Sequence, residues 1–176
     1  MKSLTPDVFH HSARLAITFF LLVSFASLSW SDSVVENPTT EARDEVTAGS
    51  SALVGEEHEQ AIQHFSVAIQ SGVLSNEELS SALIFRGTAF TELGQNQRAI
   101  SDYTEALGVD PKNIEALLGR ARGYNATGQF ENANNDLKAI QKLGVDSAEA
   151  DHIRSHTYIG LGDTEWVRAP LRAAIK

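Results

Sequence analysis

Two regimes of hydrophobic patterning divide the chain. From Leu15 to Leu28 it reads LAITFFLLVSFASL, fourteen residues without a charge. Further on, apolar residues recur with helical spacing: Leu83, Gly87 and Phe90 fall at i, i+4 and i+7, and so do Ala99, Tyr103 and Ala106. A helix turns once in about 3.6 residues, so each triplet marks one apolar stripe on one amphipathic helix. Gly94 lies between the two stripes, where a left-handed C-terminal cap is easiest for glycine. Ser75 with Glu78 and Asp146 with Glu149 have capping-box spacing, and Asp110 precedes Pro111, which a first turn accepts. The pattern predicts hairpins of two helices.

The hairpin recurs. Phe90, Tyr124 and Tyr158 stand 34 residues apart, as do Gly94, Gly128 and Gly162. The same period relates Arg86, Arg120 and Arg154; Gly87, Ala121 and Ser155; Ala99, Ala133 and Val167; and Tyr103, Leu137 and Leu171. Upstream, Ala61, Phe65 and Ala68 reproduce Ala99, Tyr103 and Ala106 at an offset of 38, which places an insertion near QSGVLSNEEL. A single hairpin cannot bury its stripe, so such units stack on one another.

These residues resemble the tetratricopeptide repeat. Leu83, Arg86, Gly87, Phe90, Ala99, Tyr103, Ala106 and Pro111 carry the resemblance in residues 80–113, and Leu117, Ala121, Tyr124, Ala133 and Leu137 carry it in 114–147. In 148–176 Asp151 occupies the large apolar slot and Pro170 lies inside the second helix, where it should kink it. The resemblance implies an all-α, right-handed α-solenoid of stacked helix hairpins, about 3.5 to 4 repeats long. Its domain would cover 57–176, in units of about 57–79, 80–113, 114–147 and 148–176.

Composition and charge narrow the function. Hydrophobic residues are 42% and charged residues 21% of the chain, a mixture that folds. The net charge of −9 disfavours general nucleic-acid binding. With no cysteine there is no disulfide, thiolate metal site or cysteine nucleophile. The uncharged run, preceded by Lys2 and Arg14, reads as the core of a signal peptide over 1–31, with small residues favouring cleavage after Ser29 or Ser31. The expected product is exported, periplasmic or secreted. An uncleaved signal would instead leave the domain tethered to a membrane. Residues 32–56 are rich in Asp and Glu and read as a solvated acidic linker with at most one degenerate helix between Thr40 and Val54. Trimming to about residue 55 should then leave the melting temperature unchanged.

Arg86 and Asp102 each lie eight residues from Gly94, and Arg120 and Asp136 eight from Gly128, so each pair should meet across its hairpin as a structural ion pair. Arg154 stands opposite Pro170 and must find another partner. The resemblance puts the first helices along a concave groove, lined by Ser81, Ile84, Thr88, Thr91 and Glu92, then Leu118, Arg122 and Asn125, then His152, His156 and Ile159. Family members that clamp the C-terminal carboxylate of chaperones use lysines and asparagines at these places, whereas Ile84 and Thr88 stand here. Arg122 beside Asn125 could hold one carboxylate or a backbone carbonyl; the alternative is a solvated surface. His152 and His156 have metal-ligand spacing, with Glu149 a turn earlier, yet zinc needs three or four converging ligands and there is no HExxH motif. No metal and no cofactor are expected. Nor is there a glycine-rich phosphate loop or a nucleophile elbow. The expected protein is a non-catalytic adaptor that binds another protein or an extended peptide through its groove, or pairs with a second copy through an open C-terminal edge. The alternative is a membrane-tethered structural assembly subunit.

Overall fold

The computed structural model describes residues 37–163. The leader, Val167, Pro170, Leu171 and the C-terminal edge lie outside the described residues. Among the described residues seven helices follow one another: α1 (Pro38–Val54), α2 (His58–Gln70), α3 (Asn76–Glu92), α4 (Asn96–Val109), α5 (Ile114–Ala126), α6 (Phe130–Lys142) and α7 (Ala148–Gly160). Among the described residues there is no strand, and no helix is long and apolar enough to cross a membrane.

Local chemistry sets the helix ends. Gly94, Gly128 and Gly162 have φ of 69°, 74° and 74°. At each, the next residue donates its N–H back over the turn: Gln95 to Phe90 O at 2.8 Å, Gln129 to Tyr124 O at 2.8 Å and Asp163 to Tyr158 O at 2.9 Å. This is the left-handed cap that absorbs the last carbonyls of a helix. Helix α3 opens on a capping box, in which Ser75 Oγ accepts from the Glu78 N–H and the Glu78 carboxylate accepts from the Ser75 N–H. Two expected starts move. Asn113, not Asp110 and Pro111, caps α5, accepting from the Ala116 N–H, and Ser147, not Asp146, caps α7, accepting from the Ala150 N–H. A cap is decided by which oxygen reaches the third N–H of the helix, and in both cases that oxygen lies beyond the expected residue.

The largest departure from the sequence reading is α1. Residues 38–54 are not a solvated linker; they form a 17-residue helix capped by Asn37, with Pro38 in its first turn. It buries Ala42, Gly49 and Ala52 and packs along α2, whose Ala61, Phe65 and Ala68 are fully buried. A Cβ on Gly49 would lie 2.9 Å from Phe65 Cε1, so only a glycine lets the ring approach so closely. Glu45 reaches His64 Nδ1 at 2.7 Å, and Arg43 Nε donates to Glu78 on α3 at 2.6 Å. The N-terminal hairpin is therefore α1 with α2, and it begins about twenty residues before the expected unit.

That last contact has a pH signature. The hydrogen bond from Arg43, then those at Ser75, pull the Glu78 carboxyl from 4.5 down to about 2. A depressed carboxyl stabilises the fold above its unfolded value, and the contribution is lost as pH falls from about 4.5 towards 2. An NMR titration of Glu78 should find this low midpoint, and Arg43→Ala should raise it. A midpoint indifferent to Arg43 would mean that the cap alone holds the charge.

Every helix packs on the next, α5 also packs on α7, and α1 on α3 and α3 on α5, whereas successive second helices have at most marginal contact. The first helix of each hairpin thus lies on the inner side of the stack. Between layers the fit is tight. The Tyr103 ring of α4 sits against both Gly87 of α3 and Gly119 of α5, where an added Cβ would come within 3.0 Å and 2.4 Å of it.

Candidate functional site

The arginine column is structural. Arg86 grips Asp102 with Nε and Nη2, both at 2.8 Å. Arg120 does the same to Asp136, at 2.9 and 2.7 Å. Each guanidinium has a third contact with the second helix of the preceding hairpin: Arg86 Nη1 to Ser66 Oγ at 3.1 Å, and Arg120 Nη1 to Thr104 Oγ1 at 3.3 Å. The arginine therefore fastens three helices. Asp136 holds the Arg120 proton more firmly than usual, against the opposing cost of burial. Arg154 turns instead to Asp151 on its own helix. We expect Asp136→Ala to cost about 3 kcal/mol, because it strands a largely buried cation, and Asp151→Ala under about 1 kcal/mol. Urea melts of the two variants check this; equal losses would refute the distinction.

The concave face differs in detail from the residues expected to line it. Ile84 and Leu118 are only 3% and 8% exposed and belong to the core; where neighbouring first helices touch, the inner side closes over them. Thr88 and Thr91 are half-buried, each donating to a carbonyl of its own helix, with Tyr103 OH at 3.3 and 3.5 Å from their hydroxyls. Ser81 likewise donates to Glu77 O at 3.0 Å. Glu92 is exposed. Arg122 is not a lone cation, since it pairs with Glu149 of α7 and both remain about half exposed. Asn125 docks α7 onto α5, donating to Ile153 O at 3.1 Å and accepting from Thr157 Oγ1 at 3.0 Å.

Four of the expected residues do converge. Arg122, Asn125, His152 and His156 surround a cavity of about 310 Å³ with Ala126, Phe130 and Ile153. The two imidazoles stand edge to face, 5.0 Å between centroids. Ile159, 64% exposed, lies outside that cavity. Among the described residues no three acidic or histidine side chains are grouped as metal ligands.

A second cavity, of about 280 Å³, lies between α1 and α3, lined by Ser50, Leu53, Val54 and Phe85. None of these was expected to belong to the groove. The signal was nonetheless present: subtracting the offset of 38 from Thr88, Thr91 and Glu92 gives Ser50, Leu53 and Val54. Reading residues 32–56 as a linker removed them from consideration. Phe130 was missed because it belongs to a second helix.

Residues 90–156 match the family model described as tetratricopeptide repeat. Over those residues the chain belongs to the tetratricopeptide-repeat family. It is 33% identical over 85 residues to human tetratricopeptide repeat protein 34, a match that covers 48% of this chain and spans 14% of that relative. In structure it resembles the Arabidopsis OM64 TPR domain, with a TM-score of 0.62 and 22% identity over 69% of this chain and 97% of that one. It also resembles the first TPR domain of Spaghetti (RPAP3) bound to the HSP90 peptide SRMEEVD, with a TM-score of 0.62 and 17% identity over 69% and 94% of the two chains. The shared fold is the tetratricopeptide solenoid.

Proposed function

We propose that this tetratricopeptide-repeat protein is a non-catalytic adaptor that holds an extended segment of another protein along its concave face. The observation that carries the proposal is that two separate cavities, α1 with α3 and α5 with α7, both open between first helices. A ligand able to use both must be elongated, because a compact one fills a single cavity. The peptide-bound relative supports the same use of the fold. Chemical crosslinking of the chain to partners captured from its own source should place the links on α1, α3, α5 and α7. Links confined to α2, α4 and α6 would overturn it.

We further propose export, with the mature chain beginning after Ser29 or Ser31. The uncharged Leu15 to Leu28 run, shorter than the roughly 20 residues of a spanning helix, supports it. Intact mass of the protein from its host would show the shortened chain; a full-length species in the membrane pellet would replace this reading with the tethered one.

A further inference from the structure

The two cavities have different chemistry. Between α1 and α3 the lining is almost wholly apolar: Leu53, Phe85 and Val54, the last 88% exposed. The hydroxyl of Ser50 is already donated to Val46 O at 2.8 Å. Between α5 and α7 the buried or half-buried floor is Ile153 and Phe130, while the exposed mouth carries Arg122, His152 and His156. Every one of these mouth groups can donate hydrogen bonds, and Arg122 keeps spare N–H groups beyond the one used by Glu149.

Resting on the adaptor reading above, we infer that the concave face reads two features of one extended segment: an apolar side chain in the α1/α3 cavity and an acidic side chain in the α5/α7 cavity. The donor-rich mouth complements a carboxylate. The floor needs carbon above it, and the methylenes of a glutamate or aspartate cover Phe130 and Ile153 while the carboxylate stays at the mouth. Two steps between neighbouring first helices separate the cavities, roughly 20 Å at ordinary helix spacings, which about six extended residues span.

The test selects displayed internal peptides of about twelve residues against the full chain. Enriched sequences should pair an apolar residue with Asp or Glu about five to seven positions away. Amidated synthetic copies should shift the NMR signals of both Val54 and His156. Val54→Ser and His156→Ala, both at exposed positions whose folding a thermal melt verifies, should each weaken binding about tenfold. Peptides that shift signals along the first helices but lack the spaced pair, ignore either variant, or bind only with a free C-terminal carboxylate overturn the inference and leave the adaptor reading standing. Peptides that bind elsewhere, or no enrichment at all, overturn both.

Discussion

A chain shortened to begin at Glu57 is expected to melt at least about 10 °C below the chain that retains α1. Phe65 and Ala61 are fully buried in one cluster with Ala52 of α1, and the Phe65 ring lies against Gly49. Exposing one phenylalanine side chain costs about 2 to 3 kcal/mol, and Ala61 adds to it. The shortened chain also loses the Arg43 to Glu78 contact that ties α1 to α3. About 3 kcal/mol corresponds to 10 °C or more in a domain of this size. Circular dichroism melts of both chains give the comparison directly. Coincident melts would return residues 38–54 to the status of a linker. Phe65→Ala in the longer chain offers a second check, with an expected loss of about 3 to 5 kcal/mol.

The second large effect is a reversal of sign at Gly119. In an ordinary helix position, alanine in place of glycine gains about 1 kcal/mol. Here an added Cβ would sit 2.4 Å from Tyr103 Cζ, in a layer already filled by that ring. Gly119→Ala is therefore expected to destabilise, by about 1 to 3 kcal/mol. The chain holds its own alternative solution one repeat later, where Leu137 stands in the column of Tyr103 and Ile153 in the column of Gly119, both buried. Large against small in one layer becomes medium against medium in the next. In a Tyr103→Leu background, Gly119→Ala should therefore turn neutral or stabilising. Denaturant midpoints for the four members of the cycle decide it, and additive effects would show that the ring and the glycine do not constrain one another.

The candidate site was legible in part, and the residues explain which part. Arg122 and His156 stand one period apart on successive first helices, and Asn125 and His152 each lie one helical turn from them, so period and phase were enough to gather them. What period could not supply was occupancy. Glu149 takes one N–H group of Arg122, and Ile153 and Thr157 engage the Asn125 amide; these are contacts between repeats, which spacing within one repeat does not specify. Ile84 and Leu118 share their phase with Thr88 and Arg122 yet are buried, because the inner side of the stack closes where first helices touch.

By itself the sequence determined the hairpin, its period and its clasps. Gly94, Gly128 and Gly162 had to end helices because a left-handed cap suits glycine, and Arg86 with Asp102, like Arg120 with Asp136, had to meet because equal distances from a turn bring residues level. These are local constraints, written within one unit of the repeat. Only the tertiary structure decided that α1 belongs to the array. Its buried face is Ala42, Gly49 and Ala52, too small to show as a hydrophobic stripe among so many acids, and its burial depends on Phe65 of the next helix reaching into the space a glycine leaves. Small residues give no signal of their own burial; the large residue that fills the gap lies on another helix, and only folding brings the two together.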